Sequence, residues 1–396
     1  MKILRYIITP FFLLSLFSCM SLDDASFEMP DSSCSPMTKV VKLSDDYDHE
    51  SFLIKFDRVQ TEASLAEMSG RMGVSLIKLF TSTSGKEELE SQFGLDRWYV
   101  AEIVGSRPLD RVIDDFEKLS QVALVQYNSK AGKASDGIVY HYDGTSPMTK
   151  SGTVEYPFND PSLVDQWHYW NQGSTSIATS IKKGADINVV DSWKELTCGD
   201  PSVIVAVVDE GVKYTHPDLR DNMWINTGEV PGNGIDDDNN GYVDDIYGYN
   251  FVDNGPITWA KAGDSGHGTH CAGTIAAVNN NNVGVSGVAG GSGKGDGCRI
   301  MSCQVFSGYS GGAVRETVNA IKYAADMGAS IISCSFGYTS AFASDNDYLR
   351  RVGSAEIDVI HYFEASQNND VLNGNIAIFA AGNDAHDYAH YPGAYN

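Results

Sequence analysis

Apolar and polar residues alternate over 51–56, with Phe52, Ile54 and Phe56 on one face, the two-residue period of a half-buried strand. Leu65, Met68 and Met72 then recur at helical spacing, and 74–80 and 98–104 read as two further strands. Ser106-Arg107-Pro108 opens a second helix, proline being favoured in a first turn, and Leu109, Val112, Ile113, Phe116 and Leu119 form its core face. Residues 122–127 close the set as a strand. The order strand, helix, strand, strand, helix, strand predicts a small α+β domain of the split, ferredoxin-like kind over 47–130. Residues 131–158 hold Gly, Ser, Lys and Asp with little apolar content and read as an exposed linker open to proteolysis.

From about residue 159 the pattern changes. Residues 202–208 form a continuous, β-branched apolar run, as in a strand buried on both faces, and 300–306, 331–335 and 376–381 read similarly. Helical stretches lie between them over 267–277 and 313–327, the second with Val314, Val318, Ile321 and Ala325 on one face. Strands alternating with helices predict a doubly wound parallel α/β sheet, in which ligands sit at the carboxyl ends of the strands.

Hydrophobic residues make up 42% and charged residues 20% of the 396, a globular balance. The net charge is −24, from 52 acidic against 28 basic residues. Such a surface repels phosphate backbones, which sets nucleic-acid partners aside, and favours cations. Lys2 and Arg5 precede an apolar run over 6–17, shorter than the roughly 20 residues a spanning helix needs but suited to a signal peptide over 1–18. Leu16-Phe17-Ser18-Cys19 resembles a bacterial lipobox, so the expected product is an exported outer-membrane or cell-surface lipoprotein. Lipid on Cys19 would hold it to the membrane, with 19–46 as the tether. The seven cysteines include no CxxC pair and match no zinc pattern. Cys271, Cys303 and Cys334 sit among apolar neighbours and are expected as buried free thiols.

The strand ends carry candidate chemistry. Asp209 follows the 202–208 run, His267 lies between two glycines where a helix begins, Ser335-Phe336-Gly337 follows the third strand, and Asn383 follows the fourth. An Asp, a His and an Asn converging on one crevice suit acyl transfer: the carboxylate orients the imidazole, the imidazole takes a proton from a hydroxyl, and the amide donates to the oxyanion.

Val207-Val208-Asp209-Glu210-Gly211-Val212, the 266–274 block Gly-His-Gly-Thr-His-Cys-Ala-Gly-Thr, Ser335-Phe336-Gly337 and Ala380-Ala381-Gly382-Asn383 resemble, in this order, the subtilisin-like serine proteases. The resemblance runs from about 159 to the end and implies an incomplete subtilisin-like sheet in a serine endopeptidase. It implies Asp209 and His267 as triad members and Asn383 as the oxyanion side chain. It makes Ser335, Phe336 and Gly337 the wall of the primary specificity pocket, and 304–312, with Gly308 and Tyr309, the opposite wall of a cleft for polypeptide substrates. Glu210 stands where the family more often has Ser or Thr, and little consequence is expected of it. Residues 47–130 then read as a propeptide that assists folding and blocks the cleft, with maturation between about 130 and 159. The family's nucleophile lies in a Gly-Thr-Ser-Met-Ala-Thr-Pro-like segment after the Asn block, and no serine follows Asn383 here. The 396 residues by themselves are therefore expected to be inactive. A peptide-binding or inhibitory pseudoprotease is the alternative, and the intact Asp209, His267 and Asn383 favour the enzyme.

Asp236, Asp238 and Asn240 offer oxygens at alternate positions before the turn at Gly241, followed by the Tyr242 carbonyl and Asp244, which predicts a structural calcium loop. Tyr247 stands where an EF-hand carries its bidentate Glu, so the loop is not a complete EF-hand.

Overall fold

The computed structural model describes residues 47–134, 156–173, 181–338, 341–366, 372, 374–383 and 387–395. The signal peptide, Cys19, the tether and residues 135–155 of the expected linker lie outside the described residues.

Strand β1 (Tyr47–Phe56) leads into α1 (Glu62–Met72), which Thr61 caps by accepting the Ser64 N–H at 3.2 Å and which ends on Gly73 in the left-handed region. There follow β2 (Val74–Lys78), α2 (Glu87–Gln92), β3 (Trp98–Ile103), α3 (Leu109–Phe116) and β4 (Val122–Ser129). The strands form an antiparallel sheet in the order β2-β3-β1-β4. Because successive strand residues point to opposite faces, Phe52, Ile54 and Phe56 meet Met68, Val112, Ile113 and Phe116 of the two long helices. Leu53, Trp98, Val100 and Leu124 point the other way and join the core of the larger domain. Helix α2 has no apolar stripe to betray it: its buried residue is Glu90.

The chain then continues into β5 (Gly132–Lys133), inside the stretch expected to be linker. The far end of that stretch is packed too, with Tyr156 and Phe158 against Trp170 and Trp193. After α4 (Val189–Glu195) come β6 (Ile204–Glu210), β7 (Gly248–Asn250), α5 (His267–Ala276), β8 (Arg299–Ser307) and β9 (Ser310–Gly311). Helix α6 (Val314–Asp326), β10 (Ile331–Cys334), β11 (Phe336–Gly337), α7 (Asp345–Tyr348), α8 (Ser354–Ala365) and β12 (Ile376–Phe379) complete the described elements. Strands β12-β10-β6-β8-β7 form a parallel sheet in that order, and β9 folds back on β8. Helix α5 covers one face against Val205, Val207 and Ile300; α6 and α8 cover the other against Ala206, Val208 and Met301. Strand β12 departs from the expectation of a fully buried strand: it lies at the sheet edge, with Ile376 and Ile378 exposed.

The N-terminal sheet lies on α6 and α8 through buried polar contacts as well as apolar ones. Lys322 of α6 is 1% exposed, with its Nζ 2.8 Å from Glu90 and 2.6 Å from Asp326. The hydroxyls of Thr83 and Tyr362 donate to the same Asp326 at 2.7 and 2.6 Å. Trp98 Nε1 donates to Asp358 at 2.7 Å, and Gln126 Nε2 to the Val352 carbonyl at 2.7 Å.

Candidate active site

Asp209 is the next-to-last residue of β6 and is 1% exposed. Burial opposes its charge and holds its carboxyl above the usual value, and the hydrogen bonds from His267 counter that only in part. His267 is the first residue of α5, and its Nδ1 lies 2.8 and 2.9 Å from the two Asp209 oxygens. Gly268 lets the helix start close to β6, since a β-carbon there would collide with the Glu210 carbonyl. The other ring nitrogen, Nε2, lies 3.1 Å from the Ala134 carbonyl oxygen. Both nitrogens therefore face acceptors, and the charged imidazolium satisfies both. The Asp209 hydrogen bonds hold the His267 pKa well above its ordinary range.

Ala134 is delivered by a short arm. Lys130 bridges to Ala313, the Ala131 N–H donates to the Gly312 carbonyl at 2.8 Å, and Gly132 and Lys133 pair with Gly337 and Phe336. The Ala134 N–H donates to the Ser335 carbonyl at 2.8 Å. The arm is thus the middle strand between 312–313 and 335–337, held chiefly through its backbone. Beside it a pocket is lined by Phe336, Gly337, Tyr338, Gly382, Asn383 and His390.

Asp209, His267, Ser335, Phe336, Gly337 and Asn383 come together at this crevice. Gly308 and Tyr309 do not reach the arm: the Gly308 N–H donates to Asp264 at 2.6 Å, and Tyr309 is 90% exposed on the turn between β8 and β9. Of the 304–312 stretch expected as the second wall, Gly312 meets the arm, and Ala313 just beyond it completes that wall. It is read through main-chain groups, which leave no side-chain signal in the sequence.

Glu210 is the larger correction. It is 1% exposed and accepts hydrogen bonds from the Ser265 N–H and hydroxyl and, at 2.9 Å, from the His267 N–H. It also forms an ion pair with Lys133 of the arm. Burial alone would raise its carboxyl; Lys133 and these donors outweigh that and hold it below its usual value. As the strand neighbour of Asp209 it points to the opposite side, so it meets the loop before α5 rather than the imidazole. Of the expected buried thiols, Cys303 and Cys334 are buried, whereas Cys271 is half-buried one helical turn after His267, its thiol donating to Ser335 Oγ at 3.5 Å.

The acidic loop is built differently from the linear pattern. Asp236 accepts the N–H groups of Asn240 and Gly241 at 3.0 and 2.8 Å, and Asp244 those of Gly232 and Gly234 at 2.7 and 2.9 Å. The Tyr242 ring packs on Tyr249, Phe251 and Tyr323. The carboxylates that converge are Glu229, Asp238 and Asp245, with oxygens within 4.8 Å of one another. Two of the three, Glu229 and Asp245, fall outside the expected ligand set, and Glu229 comes from upstream of the run. Three carboxylates suit a hard cation such as calcium. Both oxygens of each already accept hydrogen bonds, from Asn226, Asn240, Tyr323 and loop N–H groups, which a bound ion would have to displace.

A parallel α/β sheet with a buried Asp–His pair at its carboxyl edge and an extended peptide across it defines a peptide-binding site with acid–base chemistry. The profile of the subtilase family matches residues 200–396, and the chain belongs to that family. It is 35% identical over 211 residues to subtilisin-like protease 1 of Plasmodium falciparum (isolate 3D7), covering 52% of this chain and 27% of that one. It is 31% identical over 192 residues to thermitase of Thermoactinomyces vulgaris, covering 48% of this chain and 51% of that one. The chain thus spans between a quarter and a half of these relatives' length. Fervidolysin from Fervidobacterium pennivorans, a keratinolytic enzyme related to subtilisin, shares the fold at a TM-score of 0.52 and 17% identity, over 88% of this chain and 42% of that one.

Proposed function

We propose that the protein is the precursor of a serine endopeptidase, that its N-terminal domain blocks its own cleft, and that processing cuts the Ala134–Ser135 bond. The observation that carries this is the Ala134 carbonyl, 3.1 Å from His267 Nε2, in a strand clasped on both sides. His267 Nε2 is the nitrogen that would take the proton of a serine hydroxyl attacking that carbonyl, with Asp209 stabilising the imidazolium. The Asn383 amide, on the adjoining pocket wall, would donate to the oxyanion. The attacking serine is expected in the family's Gly-Thr-Ser-Met-Ala-like segment.

The test is the purified protein carrying that segment, incubated and analysed by mass spectrometry. A new N-terminus at Ser135, followed by peptidase activity and absent in His267→Ala, is the expected result. A first cut elsewhere, or the same cut in His267→Ala, overturns the reading.

Export, lipidation of Cys19 and a structural calcium belong to the same reading. The N-terminus of the exported precursor, before the cut at Ala134, should carry the mass of a lipid on Cys19. Calcium, if it binds, should be held by Glu229, Asp238 and Asp245 and raise the melting temperature; calorimetry with no heat of binding removes it.

A further inference from the structure

We infer that Glu210 makes the cleft select lysine or arginine at the second residue before the cut bond, the position Lys133 holds in the arm. This rests on the peptidase reading above and names the class of peptide it would take. Within the arm, Ala131, Gly132 and Ala134 offer little side chain to read, and Lys133 is the exception. Its register is fixed by pairing with Phe336, which leaves the residue after it with its carbonyl on Nε2. From that position the ammonium reaches the Glu210 carboxylate, which is 1% exposed.

The site is built rather than incidental. The donors that anchor Glu210 besides Lys133 are the neutral Ser265 N–H and hydroxyl and the His267 N–H. They orient the carboxylate and leave its charge in place. The start of α5 favours an anion there. The carboxylate that the arm covers faces water once the arm leaves and is covered again by the next peptide, which then has to bring a cation. A neutral side chain leaves it unpaired, and an acidic one adds like-charge repulsion. A site built around a buried polar partner discriminates sharply because the wrong ligand leaves that partner unsatisfied. Arginine serves as well as lysine in principle, since its fork matches a carboxylate.

The experiment uses the protein carrying the serine segment and peptides Ala-Gly-Xaa-Ala-p-nitroanilide, with Xaa as Lys, Arg, Met or Glu. Expected kcat/KM for Lys and Arg is at least about tenfold above Met, with Glu slowest. In Glu210→Gln, which keeps an acceptor for the Ser265 and His267 N–H groups, the Lys-to-Met ratio falls toward one, whatever the absolute rates. The series on unaltered protein stands even if that variant folds poorly. Lys and Met within twofold of each other overturn the inference and leave the peptidase intact. A preference that survives in Glu210→Gln assigns it to another group and also overturns it. No hydrolysis of these peptides or of denatured casein sinks the peptidase reading, and this inference with it.

Discussion

The N-terminal domain grips the rest of the chain in two places that differ in kind. Across its sheet face the grip is side chain on side chain: Glu90 on Lys322, Thr83 on Asp326, Trp98 on Asp358. Along the arm it is mostly backbone on backbone, from the bridge at Lys130 to the Ala134 N–H on Ser335. The face recognises one partner and no other, since each buried charge would be stranded by a mismatch. The arm recognises a conformation, and a different sequence could lie in the same clasp. Lys133 and Glu210 are where the second mode borrows from the first.

Substitutions can break this contrast, and the largest effect belongs to the face. Glu90→Ala strips buried Lys322 of one of its two carboxylates, leaving Asp326 and the Thr83 hydroxyl, and should cost about 3–5 kcal/mol in urea unfolding. Adding Lys322→Met should recover part of that loss, because the under-compensated buried ammonium is then gone. A pH dependence comes next. Burial pushes the Glu356 carboxyl of α8 up to about 7, against its hydrogen bond from the Tyr348 hydroxyl. The folded state then holds a proton that the unfolded state has released. Stability is full below about pH 4.5 and declines as pH rises toward 7, by roughly 3 kcal/mol at most. Glu356→Gln should flatten that decline, and thermal melts from pH 4 to 8 will read it.

Lys133→Met tests the borrowed contact. It leaves Glu210 without its cation and should cost about 1–3 kcal/mol, seen as faster limited proteolysis after residue 130. The smallest effect sharpens the contrast from the arm's side. A β-carbon on Gly132 meets nothing within 4 Å, so Gly132→Ala should change stability by no more than about 0.5 kcal/mol. Gly312, at φ 79 with a β-carbon 2.7 Å from the Ala131 carbonyl, should not tolerate the same change.

The periodicities that revealed β1, α1, α3, β6 and α6 are those of faces that bury apolar residues, and there sequence and structure agree closely. Asp209 and His267 were legible because each sits in a run of small residues at a strand end or helix start. Two things were hidden for a shared reason. Helix α2 buries an acid, and the arm over 131–134 buries a backbone. Neither leaves an apolar pattern. Glu210 was visible in the sequence but misjudged, since its importance lies in Lys133, 77 residues earlier in the chain. The acidic loop misled differently: alternation along the run suggested Asp236 and Asp244, while folding brought Glu229 and Asp245 to Asp238.

The arm follows directly from β4, a strand locked in the domain's own sheet. Its occupancy of the cleft is therefore intramolecular, and a short connection of this kind acts like a free peptide at millimolar effective concentration. A peptide arriving from solution has to outcompete that local concentration, so tight binding alone does little to open the cleft. Severing the chain after residue 134 converts the occupant into a separate molecule that dilution can remove. Under the proposed processing, the on-switch would be a change of molecularity, made by one cut.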